Sequence, residues 1–336
     1  MEFTQQFPMK GGVGETSYAN NSLLQSKVIL MTKPMREAAI TAFFSTIATT
    51  IPTSLAIADL GCSCGPNTLF AVSEIISIVM DLYNAKKHEL PEFQLFLNDL
   101  PENDFNTLFS YFLPRFQEKL SEQMKSKYGV RAALACFFNG VPGSFYGRLF
   151  VKESLHLSLS LSLSLSLSLS LSLSLSLSLS LSQVPRGLEE NKGNISMARL
   201  SPPSVLRACY EQFQRDFSTF LEYRGQELVV GGCMVLTLLG QRNDDPSSEE
   251  YRQFWELLII DLNEMVTEGL IEEEKLDSFN VPYYPPSPKE VHREVEKQGS
   301  FSIDCLEVFE VNRDVFEKDF DPNVVSEEAS DKMVDA

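Results

Sequence analysis

Histidine is nearly missing from this chain: three residues of 336, His88, His156 and His292. They stand in unrelated contexts and read as surface positions. No Ser/His/Asp or Cys/His arrangement for nucleophilic catalysis is visible. Cysteine is sparse too, with six residues and one close pair, Cys62 and Cys64. A C-x-C is not a zinc framework and no disulfide pattern is evident, so the expected compartment is reducing and cytoplasmic. The first residues lack a basic region followed by an apolar core, so no secretory signal is expected. Cations are in short supply, 28 Lys and Arg against 46 Asp and Glu, for a net charge of −18. Nearly all of that imbalance follows Gly240, where residues 241–336 carry 26 acidic and 9 basic side chains. Such a chain is a poor partner for nucleic acid or anionic membrane surfaces. The acid reads instead as the solvated faces of a helical cap.

A G-x-G-x-x-G loop is also absent. In its place stands Leu55-Ala56-Ile57-Ala58-Asp59-Leu60-Gly61-Cys62-Ser63-Cys64-Gly65-Pro66-Asn67. An apolar strand-like run ends in Asp59, turns through Gly61 and Gly65, and passes to a helix-like run from Thr68 to Tyr83. Strand, glycine turn and helix bring backbone against a small cofactor. A pyrophosphate calls for bare amides at a helix N-terminus. An acidic residue suits a cofactor with an amino group or a cationic centre instead. A second apolar run, Phe93 to Leu97, leads into Asn98-Asp99-Leu100-Pro101. A carboxylate there accepts hydrogen bonds from ribose hydroxyls. Asp59 and Asp99 together fit an adenosyl cofactor without phosphates, and S-adenosylmethionine is the leading candidate. A nicotinamide cofactor is a distant alternative.

Periodicity predicts a helix from Pro34 to Thr49, a strand from Ala132 to Phe138 and a long helix opened by Pro202-Pro203 and running to about Tyr223. Leu228-Val229-Val230 and Met234 to Leu239 flank a Gly231-Gly232 turn and add a further strand. Ser247 and Glu250 have capping-box spacing for a helix that stops at Gly269. Pro282 to Pro288 reads as a rigid loop, and Phe301 to Val311 alternates like a late strand. Strands alternating with helices imply an α/β fold with a mostly parallel sheet covered on both faces. The expected organisation is a core at 1–156 and 183–240 with the late strand 301–311, a helical cap at 241–300 and an acidic tail at 312–336. Between the two parts of the core lies a Leu-Ser repeat, 157–182. Its strict period of two would allow strands of undefined register. The alternating hydroxyls exclude a membrane span.

Three further stretches narrow the class. Met9-Lys10-Gly11-Gly12 precedes Ser17-Tyr18-Ala19 and Asn21-Ser22. Phe96 to Pro101 is followed by Asn103-Asp104-Phe105-Asn106. Val141-Pro142-Gly143-Ser144-Phe145-Tyr146-Gly147-Arg148-Leu149-Phe150 is the third. With the Asp59 loop, these resemble the plant SABATH methyltransferases, which methylate carboxyl groups of salicylate, benzoate and jasmonate or ring nitrogens of xanthine alkaloids. Leu270-Ile271-Glu272-Glu273-Glu274-Lys275-Leu276-Asp277 is most similar to the salicylate/benzoate carboxyl methyltransferase branch. The resemblance implies a Rossmann-like methyltransferase sheet with a helical cap. Beside Asp59 and Gly61 of the loop, it implies a cofactor site lined by Tyr18, Cys62, Asn67, Asp99, Leu100, Ser144 and Phe145, with Asp99 on the ribose and Phe145 on the adenine. It implies substrate contacts at Gln25 and Trp255. Some members hold Mg²⁺ at positions matching Asn191, Asp277, Phe279 (by its carbonyl) and Asn280.

An ionised carboxylate is already a nucleophile and a methyl sulfonium an activated donor, so catalysis would be positioning and water exclusion, with no catalytic side chain. The expected function is methyl transfer from S-adenosylmethionine to a small carboxylic acid, with a homodimer as a further expectation. The Leu-Ser repeat departs from the family, whose members carry a strand and an aromatic acceptor wall there. Members also continue past Ala336 with further helices and a last strand. The missing acceptor wall beside an intact cofactor loop supports the alternative of a catalytically impaired cofactor-binding paralogue or dimer partner.

Overall fold

The computed structural model describes residues 9–46, 51–129, 135–160, 181–198, 201–242 and 249–311, with side chains of 249–255 and 257 outside that description. A 3₁₀ turn (Tyr18–Asn20) is followed by two helices, α1 (Leu23–Met31) and α2 (Lys33–Thr46). The sheet then alternates with helices: β1 (Ser54–Leu60), α3 (Asn67–Ala85), β2 (Glu92–Asp99), a short α4 (Phe105–Thr107), a π-helical turn (Leu108–Phe112), α5 (Leu113–Tyr128) and β3 (Cys136–Pro142). After these come β4 (Leu155–Ser160), α6 (Pro203–Glu227), β5 (Leu228–Leu236), α7 (Glu249–Thr267), α8 (Glu273–Ser278) and α9 (Pro288–Gln298).

The five strands are all parallel in the order β3-β2-β1-β4-β5. Strand order reverses between β1 and β4, and in such sheets ligands bind outside the carboxyl ends at that switch point. The inner strands are covered on both faces, while the edge strands keep exposed side chains such as Phe137 of β3 and Val230 of β5. Leu55 and Ile57 of β1 join Phe43, Phe44, Ile75 and Leu95 in one core, on the side of α2, α3 and α5. Ala56, Ala58 and Leu60 join Phe213, Phe217 and Phe220 of α6 in the other. The alternation of strand side chains produces this split. Helix α3 is long and apolar enough for a membrane span by composition, with mean hydropathy 1.3 over its most apolar window. It is here a core helix, with Ile75, Ile76 and Met80 fully covered.

Several expectations need correction. Leu157 to Ser160 are not part of an insert: they form β4, paired with β1 and β5. Leu181 and Ser182 are packed too, Leu181 donating its amide to Pro282 O at 2.8 Å. Residues 161–180 lie outside the described residues. His156 is not a surface residue. It lies half-buried in β4, its Nδ1 accepts the Ala56 amide at 3.1 Å, and burial lowers its pKa. His88 and His292 are exposed as expected.

Gly231 and Gly232 do not divide two strand segments by a turn. They sit in a bulge within the single strand β5, where Leu155 faces Leu228 but Leu157 faces Cys233. Gly231 has φ +79°, which suits a bulge residue without a Cβ. Past the irregularity the phase changes: Leu155 points into the α6-side core, Leu157 and Leu159 into the other. Residues 301–311 form no strand. Phe301 and Ile303 pack against the α6-side core, while Leu306, Val308 and Phe309 stay exposed. Alternation makes a strand only where a partner edge takes its hydrogen bonds. The third strand begins at Cys136, residues 130–134 lying outside the described residues, as do Ser247 and the acidic tail 312–336. Helices α7 to α9 are present, and Leu276 and Val295 belong to the same core as α6.

Candidate cofactor and acceptor site

The carboxyl ends of β1 and β2 build a loop cradle. Gly61 and Cys62 donate their amides to Asn98 O at 2.8 and 2.9 Å. Gly61 has φ +84°, a left-handed turn that lets the chain leave β1 at once. Ser63 is also left-handed, with φ +56°. That conformation costs a non-glycine residue about 1 kcal/mol or more. It is held from both sides: Asp99 Oδ2 accepts the Ser63 amide at 2.7 Å, and Asn103 Nδ2 donates to Ser63 O at 3.0 Å. Asp99 Oδ1 accepts from the Leu100 amide at 2.7 Å. Each carboxylate oxygen keeps a further lone pair for a hydroxyl.

Asp59 lies beneath this loop, 3 % exposed. Its Oδ2 accepts from Thr68 Oγ1 at 2.6 Å, and its Oδ1 is buried without a partner. Burial pushes its pKa up to about 7; the Asp99 charge adds to the rise, while Thr68 and Arg36 oppose it. Asp99 is shifted upward as well, by desolvation against the pull of its two amide bonds. An under-satisfied acid close to a second acid suits a cationic guest.

The N-terminal segment closes over the loop. Tyr18 donates its amide to Lys10 O at 2.9 Å, and its phenol bonds the Asn67 side chain. A Cβ on Gly65 would stand 2.9 Å from the Tyr18 ring, so only glycine fits there. Gly12 donates its amide to Asp104 Oδ2 at 2.9 Å, and Asn67 is further fixed by Ser26 Oγ at 2.7 Å and Ser22 O at 3.2 Å. Cys62 is buried, and desolvation raises its thiol pKa far above the ordinary value. It is inert packing rather than a nucleophile.

The third wall is the turn after β3. Asn98 Nδ2 donates to Val141 O at 2.7 Å and Gly143 O at 2.9 Å, tying the ends of β2 and β3 together. Ser144 and Phe145 follow, and the Phe145 ring meets Phe220 edge-on at 6.0 Å.

Gln25 lies on α1 between Ser22 and Ser26, which both bond Asn67. It is 2 % exposed, and neither Nε2 nor Oε1 has a partner. A buried amide with both ends unmet is costly unless a ligand meets it. Trp255 lies on α7, with its side chain outside the described residues.

The four expected metal positions converge only in part. Asn191 Nδ2 donates to Asn280 Oδ1 at 3.0 Å and to Ser196 O at 3.1 Å, while Asn191 Oδ1 accepts from Ser201 Oγ at 2.6 Å. Asp277 Oδ1 accepts the Gly193 amide at 2.8 Å. Three of these side-chain oxygens each accept one protein donor, one carboxylate is present, and Phe279 is exposed. Mg²⁺ needs near-octahedral oxygen ligation. One carboxylate and two amides already bonded to one another or to the protein make a weak ligand set for such an ion. No group of three or more acidic, His or Cys side chains that could hold a metal occurs among the described residues.

Sequence reasoning brought Asp59, Gly61, Cys62, Asp99, Tyr18 and Asn67 to one place. It missed the anchors: Asn98, Asn103, Asp104, Arg224 and Glu227. Asn98, Asn103 and Asp104 stood inside quoted motifs, which was their only signal. Arg224 and Glu227 carried none, since charges three apart on a helix read as a solvated pair.

A family model for SAM dependent carboxyl methyltransferases matches residues 4–335. A benzoic acid/salicylic acid carboxyl methyltransferase of Petunia hybrida is 52 % identical over 314 residues, 93 % of this chain and 81 % of that protein. The salicylate carboxymethyltransferase of Clarkia breweri is 50 % identical over 312 residues, 93 % of this chain and 79 % of that protein. Among solved structures, a loganic acid methyltransferase with SAH superposes with a TM-score of 0.70 at 34 % identity, covering 87 % of this chain and 76 % of that one. With the parallel sheet, the Asp59 and Asp99 cradle and these relatives together, the chain belongs to the S-adenosylmethionine-dependent carboxyl methyltransferases of the SABATH family.

Proposed function

We propose that this methyltransferase esterifies the carboxyl group of a small organic acid of the salicylate, benzoate or jasmonate class. In this reading Asp99 accepts from the ribose hydroxyls through lone pairs left beside its loop bonds. Phe145 stacks on the adenine and Asp59 faces the cationic methionine end. Tyr18, Gly61, Cys62, Asn67, Leu100 and Ser144 line the remainder. When bound, S-adenosylmethionine supplies a methyl group on a positively charged sulfur, already activated. The acid's carboxylate oxygen forms the new bond to carbon, and the carbon–sulfur pair returns to sulfur. No proton moves, so no side chain acts as a base. The protein's work is to align oxygen, carbon and sulfur and to exclude water.

The observation that carries the acceptor assignment is Gln25, whose buried amide lacks partners at both ends. Its Nε2 would donate to one carboxylate oxygen and fix the other toward the methyl carbon. The test is turnover of labelled S-adenosylmethionine with salicylate, benzoate and jasmonate, for the parent and Gln25→Ala. The expected result is a KM for the acid raised about tenfold, as for loss of a hydrogen bond to a charged group, with KM for the cofactor nearly constant. A complete lack of methyl ester from all three acids would sink the reading.

One observation favours the second reading, a cofactor-binding protein without turnover. The Leu-Ser repeat supplies no aromatic side chain to an acceptor wall. Calorimetry that finds cofactor binding in a preparation making no ester would select it. The Asn191 clasp supports a structural role for those residues, and no step runs through magnesium. Trp255 is kept as an acceptor-side residue on the family pattern alone. Six free cysteines support a cytoplasmic location, and a homodimer is to be tested by sedimentation.

A further inference from the structure

Helix α6 carries a buried ion pair that the chemistry above does not use. Arg224 and Glu227 are both 0 % exposed, with Arg224 Nε donating to Glu227 Oε2 at 2.7 Å. Burying two charges is expensive, and such a pair is weak evidence for stability by itself. What distinguishes this one is where its remaining atoms go. Arg224 Nη1 donates to Phe145 O at 2.8 Å and Nη2 to Gly147 O at 2.9 Å. Glu227 Oε1 accepts from the Leu149 amide at 2.6 Å and the Phe150 amide at 2.9 Å. The pair thus takes two carbonyls and two amides of one turn, residues 145–150.

Phe220 stands one helical turn before Arg224 on the same stripe, and its ring braces Phe145. The Arg224 guanidinium also lies over the Phe220 ring, 5.4 Å from its centre. Positions 220, 224 and 227 therefore form one face of α6 devoted to the turn. A planar fork with several fixed donors suits this task; a lysine ammonium does not reproduce it.

We propose that Arg224 and Glu227 are positioning residues for the cofactor: they fix the backbone of residues 145–150 so that the Phe145 ring is already in place for the nucleobase. This rests on the assignment of Phe145 to the cofactor site made above. Neither residue touches a reacting atom, so their effect passes through Phe145.

The experiment compares four proteins, the parent, Phe145→Ala, Arg224→Lys and the double variant, by calorimetry with S-adenosylhomocysteine and by steady-state kinetics. Arg224→Lys is expected to weaken binding about tenfold, in line with a lost charge-assisted pair, and to raise the KM for S-adenosylmethionine similarly. The KM for the acid is expected to move less than about twofold. The double variant is expected to bind no more weakly than Phe145→Ala, since both act through one ring. Unchanged affinity in Arg224→Lys beside weakened affinity in Phe145→Ala overturns the inference alone. Additive losses, or equal rises in both KM values with a lowered Tm, overturn it in favour of general stabilisation. Parent-like binding by Phe145→Ala removes the site assignment and the inference with it. If Arg224→Lys does not fold, Glu227→Gln replaces it with the same expected and overturning results: its amide oxygen can still serve the Leu149 and Phe150 amides, but its NH₂ faces the Arg224 Nε donor and breaks the pair that aims Arg224 at the turn.

Discussion

The Asp99 carboxylate accepts the backbone amide of Ser63 at 2.7 Å, so the acid at the end of one strand holds the loop that leaves its neighbour. Ser63 is left-handed there, and the bond offsets part of that strain. Asp99→Asn would put an amide NH₂ against a backbone N–H or lose one of the two charge-assisted bonds. The expected outcome is a loss of about 2 kcal/mol in unfolding free energy. Cofactor affinity should fall at least about tenfold with it, as for a tenfold change per 1.4 kcal/mol. Denaturant unfolding and calorimetry check the two parts separately.

Asp59 sets a pH dependence. Its native pKa is pushed up to about 7 from an ordinary value of 3.8, chiefly by burial. The native state therefore holds a proton that the unfolded chain releases between those values. Its stability contribution is fully present below the unfolded pKa and is lost as pH rises toward and through 7. The unfolding free energy of the parent should fall by about 2 to 4 kcal/mol between pH 4 and 8, and Asp59→Asn should flatten that slope. A cationic ligand favours the ionised form, so parent affinity for S-adenosylmethionine should rise across pH 7. The variant should lose that trend.

Gly65→Ala tests the closure by the N-terminal segment. The added carbon would stand 2.9 Å from the Tyr18 ring and 3.3 Å from the Ala19 Cα. Backbone on one side and a ring bonded to Asn67 on the other leave little room to yield. Overpacking of this kind costs about 1–3 kcal/mol. A raised KM for the cofactor with an unchanged KM for the acid would place the damage at the closure.

Ser158 offers the opposite sign. It lies in β4 opposite Ala58, fully buried, and its hydroxyl has no partner. Removing an unsatisfied buried hydroxyl relieves a penalty of about 1–3 kcal/mol. Ser158→Ala should raise Tm by a few degrees, read by calorimetric scanning. A lowered Tm would show that the hydroxyl is satisfied.

The legible part of the fold was local. The run into Asp59, the glycine corner and the helix beyond it each have a short-range cause, and β1 and α3 differ from expectation by one or two residues at their ends. The same holds for Asp99 at the end of β2. Residues 301–311 misled because period-two alternation describes a side-chain pattern, not a hydrogen-bonded partner. His156 misled because its burial depends on Phe43 from another element, 6.3 Å from ring to ring. The Leu-Ser repeat misled differently: a low-complexity tract contributes a core strand at its first four residues, since Leu157 and Leu159 meet the needs of a buried face.

Local sequence by itself determined the strand-loop-helix corner, its two acids and the absence of a nucleophile-base pair, because turn chemistry and periodicity act over a few residues. Only the tertiary structure decided which side chains hold that corner in place. Asn98, Asp104, Arg224 and Glu227 act across separations of tens of residues, through burial and hydrogen bonds that no local pattern encodes. Pairing with β1 likewise fixes the phase of β4, with Leu157 beside Ile57 in one core and Ser158 beside Ala58, which belongs to the other. A two-residue repeat is indifferent to that choice, so the surrounding sheet had to make it.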